Sequence, residues 1–584
     1  MKDFLKYLAA TILGMLIVGA FSVLLFFIML GSMVSLNTQK PVLQDNSVLR
    51  ISLSGTIKER AQENPLAQIL GNNVLQEQGL DDILRAIEVA KTDKRINGIY
   101  IEGGILSTDF ATIQEIRDAI SDFKKTNKFV IAYGENYTQA SYYISSVADK
   151  VLLNPSGMIE WHGLASQPIF YKDLLDKIGV KMQIFRVGTY KSYVEPYTRT
   201  DMSPENKQQM QELIDDVWDK LCLDVSISRH LQKDSLKALA DKYMALAEPQ
   251  TYVKERLVDE LCYVDQVRDK LRNAASGSIR TISPRELAMY YEPNTANEKI
   301  AVYYCEGGIV GAETSGFSDE AQIVGPTVVS DLDRLMNDDE IKAVVLRVNS
   351  GGGSAYASEQ IWHAVELLKK KKPVVVSMSG MAASGGYYIS CGADKIIAEP
   401  TTLTGSIGIF GMVPDATGLM TEKLGLHFDV VKTNEASDFG ALGRPMNGQE
   451  SQAMQNYVDR GYQLFLKRVA EGRHMQVADV DSIAQGRVWT GSMAKKIGLV
   501  DQLGNLDLAI AEAAKLARLK DYTTVYAPLL KPWFSTMIEQ PGTGYFDRKL
   551  RTTLGAYYEP LRFVSTLEGR DCLQARMSYE PNIQ

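Results

Sequence analysis

The hydrophobic pattern divides the chain into one unbroken apolar run and a long stretch of short apolar strands alternating with amphipathic helices. Between Tyr7 and Gln39 there is no charged residue, and Leu8 to Leu30 is almost wholly apolar. Such a run exceeds the roughly 20 residues that cross a bilayer as a helix and is too long for the core of a cleavable signal. Lys2 and Lys6 precede it, which predicts a cytoplasmic tail and an exported remainder. Residues 1–35 are therefore read as one transmembrane anchor and 36–47 as a polar linker.

Further on, Val48 to Leu53 alternates as a strand before Gly55, and Ile300 to Tyr304 before Gly307-Gly308 is its counterpart. Ala343 to Val348 is a β-branched run, Tyr356 to Lys369 has helical spacing, and Val374 to Met378 is again a strand. Ser379-Gly380 predicts a turn into a helix that starts near Ala382. Continuous apolar strands separated by helices indicate an α/β fold with a largely parallel sheet covered by helices.

The pattern repeats. Tyr142-Tyr143-Ile144-Ser145, Ala148-Asp149-Lys150 and Pro155 recur 245 residues later as Tyr387-Tyr388-Ile389-Ser390, Ala393-Asp394-Lys395 and Pro400. Nine of the 23 positions in 142–164 and 387–409 are identical, which establishes an internal duplication. The copies are set at 48–290 and 298–524, and 525–584 is an extension with no repeat partner. Their chemistry is unequal. The second copy carries Ala382-Ala383-Ser384-Gly385-Gly386 where the first has Thr138-Gln139-Ala140-Ser141. The first carries Lys191 where the second has Ser437. This complementarity predicts one composite site built from both copies.

Composition narrows the function classes. At 584 residues the chain suits two large domains plus extras. A formal net charge of −8 argues against nucleic acid as a partner. Five scattered cysteines, none in a C-x-x-C pair, give neither a disulfide framework nor a zinc site, and no cofactor is expected.

A serine hydroxyl needs an adjacent base to act as a nucleophile. None of the five histidines lies near a serine motif of the second copy, and the Ser384 segment is not a G-x-S-x-G elbow. Lysine serves as a base when desolvation keeps its amine neutral. Lys191, in Val187-Gly188-Thr189-Tyr190-Lys191-Ser192, follows a strand among apolar and aromatic residues; the competing reading is a solvated surface lysine. Asn349-Ser350-Gly351-Gly352-Gly353 follows a strand, and glycines there let backbone N–H groups approach a substrate as an oxyanion hole, or simply make a tight turn. Ser384 at a helix start is an N-cap or a nucleophile in the positive field of the helix terminus.

Taken together, these motifs resemble the signal peptide peptidase A family, also called protease IV, in its long, duplicated, membrane-anchored bacterial form. The resemblance spans nearly the whole chain. It rests on the apolar run, the duplication, Gly188 to Ser192 with Glu195-Pro196, the Asn349 to Gly353 turn, Ala382 to Ser390, and Leu403-Thr404-Gly405-Ser406. It implies two tandem Clp/crotonase-like ββα domains, with Ser384 as nucleophile, Lys191 as general base, Ser406 orienting the lysine, and the N–H groups of Gly352 and Gly385 as the oxyanion hole. It also implies a homotetramer on the extracytoplasmic face of the bacterial inner membrane, held to the bilayer by the N-terminal helix. Its substrates would be signal-peptide remnants and other apolar peptides. Gly351 stands where relatives often have proline. Three alternatives remain: a crotonase-like acyl-CoA enzyme, a non-catalytic membrane scaffold, and a protease using Lys432 of the second copy as base.

Overall fold

The computed structural model describes residues 40–61, 77–275, 277–313, 321–441, 443–530 and 573–577, with scattered positions between 6 and 22. Most of the expected span from Leu8 to Leu30 lies outside the described residues, and no helix among those described is long and apolar enough to cross a membrane.

Two parallel sheets carry the duplication. In the first, the order is Arg280–Ile282, Ser47–Ser52, Ile96–Glu102, Phe129–Gly134, Lys150–Leu153, Glu260–Leu261. The second sets Thr523–Ala527, Lys299–Glu306, Ile341–Ser350 and Val374–Ala383 side by side, with Lys395–Ala398 and Gln502–Leu503 continuing one path. The other path runs through Leu403–Gly405 to Val488–Thr490. The central strands are buried nearly end to end, which is why they read as continuous apolar runs rather than alternating ones. Each copy carries a 26-residue helix, Pro204–Arg229 and Gly448–Arg473, and each helix ends on a left-handed histidine, His230 and His474.

Three local differences from the sequence reading have physical causes. The Val374–Ala383 strand does not turn at Ser379-Gly380 but runs on through Ala383, and the helix starts at Gly385. Gly380 serves a close approach instead: a methyl group there would stand 2.2 Å from the Asp109 carboxyl carbon of the first copy. Thr523–Ala527 pairs in parallel with Lys299–Glu306, so the second sheet extends past the expected boundary at 524.

Two smaller sheets lie at the carboxyl ends of the central strands. In the first copy it has three strands, Glu77–Gly79, Gly55–Lys58 and Leu106–Ser107. In the second, the matching Gln322–Val324, Gly308–Val310 and Gly352–Ser354 are continued by Leu573–Arg576, Phe410–Asp415 and Lys181–Arg186. Lys181–Arg186 belongs to the first copy and pairs antiparallel with Phe410–Asp415 over six residues. A strand exchange of this kind fixes the register between the copies, because slipping by one residue would turn every side chain to the other face.

A buried polar clasp joins the copies as well. Arg347 Nε lies 2.9 Å from Glu59 and Arg347 Nη2 lies 2.6 Å from Glu115, with all three side chains at most 3% exposed. Ser377 and Ser379 accept further N–H groups from Arg347 at 3.0 and 3.1 Å.

Candidate active site

Ser384 and Lys191 meet at the seam. Val374–Ala383 delivers Ser384 at its carboxyl end, where φ of 55° and ψ of −112° kink strand into helix. The serine makes no capping bond. Its conformation is sparsely populated and costs on the order of 1–3 kcal/mol, which the surrounding packing must hold in place. Lys191 comes from the turn after Lys181–Arg186, so the exchanged strand carries it onto the second copy. Lys191 Nζ stands 2.9 Å from Ser384 Oγ, 3.1 Å from Ser406 Oγ and 3.1 Å from the Ser406 carbonyl oxygen. Ser406 Oγ donates in turn to the Gly486 carbonyl at 3.3 Å. Ser384 and Lys191 are fully buried and Ser406 is 1% exposed.

Burial pushes the Lys191 amine well below the ordinary lysine range, because the charged form loses its hydration. The reading of Lys191 as a solvated surface residue is thereby excluded. Lys432 differs on every count: it is exposed and paired with Asp438 at 3.1 Å. All five histidines are exposed, whereas Ser384 is buried.

The sleeve around Lys191 was not legible in the sequence. A methyl on Gly486 would stand 2.6 Å from Lys191 Cβ, and one on Gly408 would stand 3.2 Å from Lys191 Cδ. The Phe410 ring lies 6.0 Å from Lys191 Nζ and stacks on Tyr193. Buried Glu195 fixes the turn from below, accepting from Ser203 Oγ at 2.5 Å and from Asn206 Nδ2 at 2.9 Å. Gln209 bridges the copies, donating to Ser192 Oγ at 3.1 Å and accepting from the Val488 N–H at 3.2 Å. These contacts join residues from 8 to 295 positions apart, and no spacing signal marks them.

The glycines divide. Gly385 opens the helix directly after Ser384. Gly352 has a φ of +95°, which turns its N–H onto Ser350 Oγ at 3.1 Å. That donor is therefore already engaged. All three residues of the Gly352–Ser354 strand pair with the neighbouring strand, Gly353 opposite Ala575.

The corresponding place in the first copy is filled. Gln139 stands where Ser384 stands in the second, and its amide oxygen accepts from the N–H groups of His162 and Gly163, each at 3.2 Å. Fully buried Trp161 takes the position of Ser406 and donates to the Leu236 carbonyl at 2.8 Å. At this place the first copy therefore offers no serine hydroxyl.

Comparison with known proteins agrees with the duplication. The profile of Peptidase family S49 matches residues 122–277 and again 366–520, and the Clp protease profile matches 320–403. The chain is 37% identical to Protease 4 of Haemophilus influenzae, over 86% of this chain and 84% of that one. It is 38% identical to Protease 4 of Salmonella typhi, over 82% and 79%. A putative signal peptide peptidase SppA of Enterococcus faecium is 35% identical over 40% of this chain and 68% of its own length.

Proposed function

The chain belongs to peptidase family S49 and is a serine endopeptidase; from that premise we propose that it cuts apolar peptides, signal-peptide remnants above all, with a Ser384–Lys191 dyad shared between its two copies. The observation that carries this is the 2.9 Å approach of Lys191 Nζ to Ser384 Oγ, both side chains being fully buried.

Neutral Lys191 has two N–H groups and one lone pair. The Ser406 carbonyl and Ser406 Oγ accept the two N–H groups, which leaves the lone pair for the Ser384 hydroxyl proton. Ser406 is thus the positioning residue. As Lys191 takes the proton, Ser384 Oγ bonds to the substrate carbonyl carbon. The backbone N–H groups of Gly385 and Gly353 receive the oxyanion, a role moved here from Gly352 because the Gly352 N–H is bonded to Ser350. Lys191 then gives its proton to the leaving amine as the C–N bond breaks. Water, deprotonated by the same amine, releases the acyl group and restores Ser384.

An apolar peptide suits the surroundings of the serine: Leu213, Met381, Ala383 and Val488 form a cluster beside it. The putative signal peptide peptidase among the relatives supports the same substrate class. The charge-free segment from Tyr7 to Gln39 supports an N-terminal anchor that would hold the site near membrane-embedded remnants. A homo-oligomer, with the tetramer as its expected size, would enclose such grooves.

The test is cleavage of an apolar, signal-like peptide by the full chain. Ser384→Ala and Lys191→Ala should both fold and both lose activity by at least about a thousandfold. Activity that survives in Lys191→Ala while Ser384→Ala is inert would remove the lysine from the mechanism.

A further inference from the structure

The turn that carries Lys191 is gripped by a short segment of the second copy, Gln485 to Arg487, whose arginine no step of the mechanism uses. On one side, the Gln485 carbonyl accepts the Tyr190 N–H at 2.8 Å, and Gly486 lies against the Lys191 stem. On the other, the Arg487 carbonyl accepts the Ser406 N–H at 2.6 Å, and the Gly486 carbonyl accepts from Ser406 Oγ at 3.3 Å. Three consecutive residues therefore set the base and the serine that orients it relative to each other. Gln485 takes a left-handed φ of 52° to do so, a conformation that costs free energy in any residue but glycine.

The Arg487 side chain completes the grip. Its guanidinium carbon lies 4.9 Å from the centre of the Tyr190 ring and 4.2 Å from that of the Trp489 ring. Its Nη2 pairs with Glu212 on the Pro204–Arg229 helix. Tyr190 and Glu212 belong to the first copy and Trp489 to the second, so one planar cation crosses the seam against the residue that precedes Lys191. A guanidinium stacked on a ring fixes that ring in a way that the point charge of a lysine does not. The Arg487 Nε–H is buried with no acceptor among the described residues. A buried donor left unpaired is a net cost, so the two rings and Glu212 are what hold the arginine here. The first copy offers the contrast. Val258-Asp259-Glu260-Leu261 and Val500-Asp501-Gln502-Leu503 match at an offset of 242 residues. At that offset Tyr243, with a left-handed φ of 50°, is the counterpart of Gln485. Met244 and Ala245 then stand where Gly486 and Arg487 stand. The copy without the nucleophile has neither the glycine nor the arginine.

We propose that Arg487 is a positioning residue for the dyad: its guanidinium, laid on the Tyr190 ring and tied to Glu212, fixes the turn that aims Lys191 at Ser384. The proposal rests on the dyad reading above. Without the guanidinium plane the Tyr190 ring is free to turn, the Lys191 amine drifts from Ser384 Oγ, and water reaches it. Hydration favours the charged form, so the amine, held low by burial, moves back toward 10.5. The charged groups about the turn are Arg487, Glu212, Arg186, whose Nη1 donates to the Lys191 carbonyl at 3.3 Å, and Asp481, which accepts from Gln485 Nε2 at 2.7 Å. Arg487→Lys leaves that set of charges unchanged and removes the plane alone.

The experiment follows single-turnover acylation by an apolar peptide ester from pH 6 to 10 in the full chain, with steady-state KM and a melting curve for each variant. Wild type is compared with Arg487→Lys, Tyr190→Leu and the two combined. Arg487→Lys should melt cooperatively and keep the wild-type KM. Its acylation rate should level off about 1 pH unit higher, and on the rising limb it should be about tenfold lower. The double variant should lose no more than about the larger single loss, because both substitutions remove the same contact. An Arg487→Lys profile that matches wild type overturns the proposal and leaves the dyad standing. A loss confined to KM also overturns it, by placing Arg487 in a substrate subsite, and so do single losses that multiply in the double variant. Arg487→Met, which keeps the stem, takes the same readings if Arg487→Lys does not fold. A wild-type rate that does not rise with pH removes the dyad reading and this proposal with it.

Discussion

Lys191 is a lysine with its whole side chain out of water, next to two serines and a sleeve of glycine and aromatic groups. Its amine is held below the unfolded value of 10.5 by burial. Between those two pKa values the unfolded chain binds a proton that the folded chain does not, so stability rises with pH across that window. Lys191→Met removes this dependence. The variant should be inactive yet melt above wild type at pH 7, with the gap closing toward pH 10; a gap constant with pH would contradict the account. Gly486→Ala tests the sleeve. Its methyl would meet Lys191 Cβ at 2.6 Å and shift the amine off Ser384, and a displacement of about 1 Å costs roughly a hundredfold in rate. Turnover should fall that far in a protein whose melting curve stays cooperative, and wild-type turnover would show that the lysine stem is not held there.

At the scale of elements, what was legible followed from burial. The central strands are enclosed on both faces, so their apolar runs announced them, and the 245-residue offset matched strand to strand. Gly380 misled for a physical reason: a glycine that admits Asp109 of the other copy looks, in sequence, like a glycine that turns the chain. Which of the three successive glycines presents its N–H depends on backbone angles, such as the φ of +95° at Gly352, that composition does not encode. The Ser384–Lys191 pairing was legible through the complementary gaps of the two copies. The burial of Lys191 was not, since Gly486, Gly408 and Phe410 reach it from distant segments. Leu573–Arg576 gave no signal at all, having no repeat partner and only four residues.

At the scale of the whole molecule, the site exists only because two copies pack in one register. Strand exchange through Lys181–Arg186 and the Arg347 clasp both act on that seam. Removing one partner of a buried ion pair leaves uncompensated charge, at a cost of about 3–5 kcal/mol. Arg347→Met strands both Glu59 and Glu115. It should lower the unfolding free energy by about that much in urea and depress activity with it; a loss below about 1 kcal/mol would mean that the clasp does not hold the copies together.

The central claim is that the serine of one copy takes its base from the other. The most direct measurement is the single-turnover rate of Ser384 acylation from pH 6 to 10 in wild type, Lys191→Ala and Lys432→Ala. The wild-type rate should climb with pH and level off below the ordinary lysine pKa of 10.5. Lys432→Ala should show the same profile, and Lys191→Ala a rate at least about a thousandfold lower with that rise abolished. A Lys191→Ala profile that keeps the rise, or a Lys432→Ala profile that loses it, would contradict the composite site.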